Sequence, residues 1–525
     1  MRLYDTAGGA VVPFEPGQLV TLYSCGITPY DSAHLGHAQV YLTFDVLQRR
    51  LRDLGHETRC VRNVTDVDDD ILRKARELGV HYLDLAAEEI TRFDADMAAL
   101  GLIPAWSEPR ATSAIAEILT LIGSVLDSGH AYQAGGAVYF DVTTFDRFGE
   151  VSHFDPATML AMAAEHGGNP DDPDKRHPLD FVLWQPSLPD EPSWESRWGP
   201  GRPGWHIECS ALALRELGET VDVHGGGRDL VFPHHECETA QSESVTGHPF
   251  VRHWLHVGLV GLDGTKMSKS LGNLVFVGDL LKEWEASVVR LALLDHHYRP
   301  DWEWTDRDMP AAARRLDLWR STAARAAEGD DPALEAVRDR LDDDLDTPGA
   351  LAELDRAARA GVPVDRGAHL LGVTLSPEAP DRSRGAGPTA PWRARRPRGD
   401  DPTHPNQHAP TQKGIPMAAV TVRLPDGSTK EFDPGTTALQ FAESIGPRLA
   451  QAAVAASFDG VEVDLGTPLV DGAQVSVITA DSDPGRLNLS GGRSTITAIV
   501  KVKAHLNLRG AGQRHPISLS QGAVG

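Results

Sequence analysis

The sequence predicts an α/β protein: a parallel sheet crossed by helices and interrupted by an insertion, then a helical region, a linker and a small α+β module. Three observations carry that prediction. Short apolar runs alternate with longer helical patterns near the N-terminus, the order that right-handed βαβ crossovers produce. Apolar spacing then gives way to Pro, Gly and Asp over residues 165–205, before parallel-strand character returns near 221–262. Composition shifts again after Leu375, where aliphatic residues nearly vanish, and strand alternation resumes near Met417.

Taken in order, residues 19–24 read as a buried strand, followed by a loop of turn formers, Cys25-Gly26-Ile27-Thr28-Pro29-Tyr30-Asp31. A helix is expected from about His34 to Leu54, with Gly55 suited to end it. Residues 57–64 read as the next strand and 67–79 as another helix. Helical spacing over 110–130, strand character over 137–143 and the irregular stretch 165–205 define an insertion at roughly 100–200. The apolar segment 286–297 opens a helical region reaching about 373. Residues 376–416 cannot bury enough apolar surface to fold and read as a disordered linker. Alternation from Val420, the turn Pro425-Asp426-Gly427 and a helix near 437–445 describe the last module. The expected divisions are 1–305 (sheet domain with its insertion), 306–375 (helical), 376–416 (linker), 417–485 (α+β module) and 486–525 (an unpatterned tail).

With 525 residues, 41% hydrophobic and 24% charged, the chain has room for two to four domains and a sizeable core. No apolar run is long enough for a transmembrane helix, and the first residues lack a signal-peptide core, so no membrane association and a cytoplasmic location are expected. Four cysteines (Cys25, Cys60, Cys209 and Cys237) are too few for a disulfide scaffold and suit reduced thiols or metal ligands. A net charge of −25 argues against a broad nucleic-acid surface.

His34 and His37 stand three apart at an expected helix start, where free N–H groups and the dipole attract phosphate, and Gly36 permits close approach. Two histidines there also suit plain surface capping, and the pair alone leaves both readings open. Lys266-Met267-Ser268-Lys269-Ser270 places two lysines on a loop, which can clamp a leaving pyrophosphate or simply form a solvated turn. Cys25, Cys209 and His234 offer two thiolates and an imidazole, a set that suits Zn²⁺ with a fourth position open; isolated cysteines equally suit a core. An open zinc would take a thiolate substrate and reject a hydroxyl. Glu238, four residues after His234, is a further ligand candidate or a hydrogen-bond acceptor behind the ligands; His235 and Cys237 are close by, and Cys60 reads as core. Trp205 either walls a pocket or packs its Gly-Arg-Pro-Gly-Trp turn. Gly225-Gly226-Gly227-Arg228-Asp229 follows a strand and suits close approach of a nucleoside, with Asp229 placed to accept from a ribose hydroxyl. Asn63-Val64-Thr65-Asp66 ends another strand on the same side of the sheet, where ligands bind in such folds.

These motifs occur in the order His34-Leu35-Gly36-His37, Arg62 to Asp69, Gly204 to Cys209, Gly225 to Glu236 and Lys266 to Ser270, and on them residues 1–375 resemble the class I cysteinyl-tRNA synthetase family. The resemblance implies a class I synthetase-type Rossmann nucleotide-binding fold. It implies one Zn²⁺ on Cys25, Cys209 and His234, and ATP with Mg²⁺ as substrate. It assigns catalysis to His34, His37, Lys266 and Lys269. Adenylate contacts fall to Cys25, Gly26, Ile27, Thr28, Asn63, Val64, Thr65, Trp205, Gly227, Arg228, Asp229 and Val260.

Two branches share this core. One charges tRNA with cysteine; the other joins cysteine to the amine of glucosaminyl-inositol in mycothiol biosynthesis. Cys25 to Asp31, the segment Glu165-His166-Gly167-Gly168-Asn169-Pro170, the stretch Val289 to Trp304 and the end of the helical region near Leu375 are similar to the ligase branch. His224, Glu238 and Ser270-Leu271-Gly272-Asn273 are closer to the tRNA-charging branch, Val40 replaces a ligase threonine, and Arg228 replaces a serine typical of both. An ATP-dependent cysteine ligase with an amino-sugar acceptor is therefore expected, with tRNA as the alternative acceptor and a monomer as the form. Residues 417–485 resemble the TGS module of threonyl-tRNA synthetase, on Leu424-Pro425-Asp426-Gly427 and Ile478-Thr479-Ala480. A functional fusion and a joined neighbouring reading frame both account for it.

Overall fold

A computed structural model describes residues 1–376, apart from 31, 268–272 and 323–331, together with segments of 420–479. The chain divides into two compact units, Met1–Gly399 and Asp400–Gly525.

The first unit is organised on a parallel sheet. Its elements in chain order are β1 (Leu19–Ile27), α1 (Leu35–Asp53), β2 (Glu57–Val64), α2 (Trp205–Leu217), β3 (Val223–Gly227), α3 (Glu236–Thr246) and β4 (Trp254–Val257). The strand order is β4-β3-β1-β2, all parallel. A sheet covered on both faces needs apolar residues on both sides of each strand, and β1 supplies them: Val20, Leu22, Tyr23 and Cys25 are all buried. The face covered by α1 joins a core with the helical region, including Leu47, Val289, Trp319 and Leu351. The opposite face joins α2 and the insertion, including Ile122, Trp184, Leu212 and Phe250.

α1 matches its expected span to within a residue. His34 is the N-cap, its Nδ1 accepting from Gly36 N at 3.1 Å. Leu54 closes the helix, and Gly55 takes φ +96°, the left-handed turn that glycine makes without strain. The expected helix over 67–79 is Asp69–Leu78, capped by Asp68 and ended by Gly79 at φ +69°. Among the described residues of the helical region, Asp308–Arg320, Pro332–Asp342, Thr347–Arg359 and Asp365–Leu370 follow Ala286–Leu294 as helices.

The insertion is more ordered than its composition suggests. Its helical stretch begins as a 3₁₀ turn, Ala111–Ala114, before Ile115–Asp127. The stretch 165–205, expected to be irregular, contributes Phe181–Gln185 and Arg202–Pro203 to a four-stranded antiparallel sheet with Ala131–Ala134 and Ala137–Phe140. Pro and Asp fill the turns around these strands, while Leu183 and Trp184 are fully buried. A second correction concerns Trp205: it opens α2 behind the N-cap Gly204 rather than closing a turn.

The second unit pairs Val420–Arg423 with Thr429–Phe432, packs the helix Ala438–Ile445, and orders three strands as Val461–Val463, Ala453–Phe458 and Val475–Thr479. Its own core includes Val422, Phe441, Ala456 and Val475. The turn 425–427, residues 377–416 of the linker and the tail 486–525 lie outside the described residues. Among the described residues no helix is long and apolar enough to cross a membrane.

Candidate active site

Many of the site residues expected from sequence gather at the C-terminal edge of the parallel sheet, where such sheets bind ligands. β1 slips register between Ser24 and Ile27, which lifts Cys25 and Gly26 out of the regular ladder. Gly26 lies so close to β2 that a Cβ there would sit 1.5 Å from the Asn63 carbonyl oxygen, so only glycine fits. Gly26 N donates to Asn63 Oδ1 at 2.8 Å, and Asn63 Nδ2 donates to Thr65 Oγ1 at 3.1 Å. Thr65 N donates to Ile27 O at 2.9 Å, and Thr28 Oγ1 to Asp68 Oδ2 at 2.9 Å. The two expected contact segments, 25–28 and 63–65, thus form one knitted rim. Asn63 is engaged in bracing it.

The expected metal ligands converge. Ligand atoms of Cys25, Cys209, His234 and Glu238 all lie within 4.8 Å of one another and are buried. They come from β1, α2, the kinked segment Val231–His235 and α3. Glu238 approaches His234 directly, Oε1 to Nε2 at 3.1 Å. A second set shares two of these groups: Cys25 Sγ lies 3.2 Å from His235 Nε2 and 3.6 Å from His224 Nε2. Cys237, also considered from sequence, belongs to neither set, and Cys60 sits in the core below α1.

Burial pushes the Cys25 thiol and the Glu238 carboxyl up and holds His224, His234 and His235 neutral. Glu238 Oε2 is buried with no hydrogen-bond partner among the described residues. A cation in the cluster would favour the thiolates and satisfy that oxygen. Soft sulfur, imidazole and carboxylate donors fit Zn²⁺.

Behind these groups stand two histidines that sequence reasoning did not single out, His206 and His256. His206 Nδ1 meets His234 Nδ1 at 2.8 Å, which turns His234 Nε2 towards the cluster. His235 Nδ1 meets His256 Nε2 at 2.6 Å, and His256 Nδ1 meets Thr6 Oγ1 at 2.8 Å. Their spacing carries no signal, because each partner lies on a different element. Trp205 stacks on His234 at 4.3 Å between ring centroids, so this ring packs against an expected ligand.

His34 and His37 stack face to face, centroids 3.9 Å apart, at the α1 N-terminus. The chain that follows the lysine loop is stitched to the same point: Leu35 N donates to Val275 O at 3.0 Å and Val277 N to Ala33 O at 2.9 Å. On the other side Met267 N donates to Val260 O at 3.0 Å. Lys266 therefore lies on a hairpin with Gly261, while Lys269 falls outside the described residues. Val260 is buried on the strand Val260–Leu262, which pairs with Trp302–Glu303 and not with the parallel sheet. Gly227 ends β3; a Cβ there would meet Asp229 Oδ1 at 2.5 Å. Arg228 turns outward, its guanidinium paired with Asp301 at 3.1 Å and bonded to the Arg299 carbonyl.

A family model described as the class I (C) tRNA synthetase catalytic domain matches residues 11–314, and a TGS domain model matches residues 420–479. A protein of Parafrankia named L-cysteine:1D-myo-inositol 2-amino-2-deoxy-alpha-D-glucopyranoside ligase is 49% identical over 400 residues, covering 72% of this chain and 90% of its own. A Nocardiopsis dassonvillei protein of the same name is 50% identical over 357 residues, covering 68% and 88%. Among solved structures, methionyl-tRNA synthetase of Mycobacterium tuberculosis in complex with methionyl-adenylate is similar over 70% of this chain and 87% of its own, at 16% identity and TM-score 0.47.

Proposed function

The chain belongs to the family of class I (C) tRNA synthetase catalytic domains, and from that premise we propose that it is an ATP-dependent ligase that activates L-cysteine as cysteinyl-AMP and passes it to the amine of glucosaminyl-inositol. The observation that carries this reading is the buried Cys25, Cys209, His234 and Glu238 cluster on the sheet edge that also bears the rim 25–28 and 63–65. The ligase name borne by relatives near 50% identity supports the amino-sugar acceptor.

In this reading Cys25, Cys209 and His234, with Glu238, hold one Zn²⁺, and His206 orients His234 from behind. Bound there, the metal supplies a soft Lewis-acid position that favours a thiolate over a hydroxyl. A cysteine carboxylate oxygen attacks the α-phosphorus of Mg-ATP, and pyrophosphate leaves. His34, His37 and the α1 N-terminus stabilise charge on the α-phosphate, while Lys266 and Lys269 neutralise the leaving pyrophosphate. Gly227 and Asp229 take the ribose side, Val260 the adenine side, and Trp205 borders the cysteine pocket. The acceptor nitrogen then attacks the carbonyl carbon of cysteinyl-AMP, loses a proton and releases AMP. Catalysis belongs to 1–305 with the helical region 306–375 as its support, and the TGS-like module 417–485 is an appendage.

Purified protein given ATP and cysteine is expected to release AMP at a steady rate only when glucosaminyl-inositol is added. AMP release that depends on tRNA instead would replace the acceptor and leave the activation step standing.

A further inference from the structure

The strand Trp302–Glu303 lies outside the reacting centre, yet it templates the hairpin that carries Lys266. Trp302 N donates to Leu259 O at 3.1 Å and Trp304 N to Gly261 O at 2.9 Å, a parallel pairing with Val260–Gly261. The hairpin itself pairs Leu262 with Thr265 across a two-residue turn, Asp263 at φ +54° and Gly264 at φ +77°. Both angles positive is the tight turn that matches strand twist, and it leaves the second turn residue's N–H without a partner inside the hairpin. Glu303 supplies that partner: Gly264 N donates to its Oε1 at 2.6 Å. Its Oε2 lies 2.7 Å from where a Cβ on Gly261 would sit, so the carboxylate rests across the hairpin in space that the glycine leaves open.

The template is itself anchored at both ends. Asp301 accepts from Leu259 N at 2.7 Å and pairs with Arg228 at 3.1 Å. Trp302 stacks on His296, centroids 3.7 Å apart, and Trp304 is buried in the main core. On the far side of the loop, Asn273 Nδ2 donates to Thr265 Oγ1 at 3.1 Å, which ties the returning chain to the same hairpin.

We propose that Glu303 is a positioning residue for adenylate formation: its carboxylate locks the Asp263-Gly264 turn and fixes the hairpin backbone at Lys266, the lysine that the adenylation reading assigns to the leaving pyrophosphate. This rests on the adenylation reading above. Its test is cysteine-dependent ATP–pyrophosphate exchange in the full chain, with zinc content and melting temperature measured alongside. Glu303→Ala is expected to lower the exchange kcat about tenfold, the scale of one hydrogen bond to a charged group, with the cysteine KM and zinc content unchanged. Glu303→Gln, whose amide oxygen also accepts, is expected to recover most of the rate. Should the Ala variant fail to fold, Gly261→Ala displaces the carboxylate and is expected to show the same kcat-selective loss. Wild-type kcat in the Ala variant (or in Gly261→Ala, where that is the variant used) overturns the assignment, as does a loss that Gln shares in full. No exchange by the wild-type protein removes the adenylation reading itself, and the proposal with it.

Discussion

At the scale of single residues, the cluster of Cys25, Cys209, His234 and Glu238 is costly unless a cation compensates it. Buried thiols and a buried carboxylate cannot ionise together without a counter-charge, and Glu238 Oε2 has no hydrogen bond to offset its burial. Cys209 sits one residue beyond Glu208 in the first turns of α2 and is 1% exposed. Replacing its sulfur by oxygen keeps the volume but removes the soft donor. Cys209→Ser is expected to carry well under one zinc per chain after gel filtration, and to lose cysteine-dependent exchange while ATP binding persists. Metal analysis by mass spectrometry and equilibrium dialysis with ATP check the two halves separately. Stoichiometric zinc in the variant would show that the second set, with His224 and His235, holds the ion instead.

At the scale of elements, what the sequence made legible followed periodicity and caps. α1 was readable because His34 and Gly55 mark its ends. α2 was not, because Ile207 to Ala213 are buried without a break, so no polar stripe betrays a helical period. α3 is polar in sequence, yet its polar groups are buried and bonded: Glu236 accepts from Gly149 N at 2.7 Å and Ser152 N at 2.9 Å, and Gln241 accepts from Ser210 Oγ at 2.6 Å. The thiol and histidine set was assigned by resemblance, since sequence distance says nothing of four elements meeting at one sheet edge. The junction of α1 with the helical region was equally hidden. Arg290 is 1% exposed; its Nε donates to Leu371 O at 2.7 Å, its Nη1 to Leu100 O at 3.0 Å, and its other nitrogen binds Asp45. Asp45 also accepts from Ile103 N at 2.7 Å and pairs with Arg49 at 2.7 Å. Burial raises the Asp45 carboxyl, but Arg290 and Arg49 outweigh it and hold it below the usual range. Its contribution to stability is therefore present above about pH 3.9, the unfolded value, and is lost as pH falls through the lower folded value. Arg290→Met leaves Asp45 and two carbonyls under-satisfied, and is expected to cost about 3–5 kcal/mol at pH 7 in chemical denaturation. A loss below about 1 kcal/mol would mean that Arg49 and Ile103 alone satisfy Asp45.

At the scale of the whole molecule, the two units rest on separate cores. The first assembles its apolar residues from Leu3 to Leu375, and the second from Val422 to Val475. The last described residues of the first are held by its helices: Arg320 Nε donates to Leu375 O at 2.9 Å, and Ser287 Oγ to Thr374 O at 3.1 Å. Every residue assigned above to metal, phosphate or adenylate lies before Glu303 in the chain. Relatives bearing the ligase name are matched over 90% and 88% of their own length, and the TGS match begins only at residue 420. A chain ended after residue 376 is therefore expected to melt within a few degrees of the full protein's first transition. Its exchange kcat and its rate of AMP release with glucosaminyl-inositol are expected to stay within about twofold of the full chain's. A drop in AMP release with exchange intact would place the second unit in acceptor handling. A drop in both, at unchanged melting temperature, would place it in adenylate formation, and either result would end its description as an appendage.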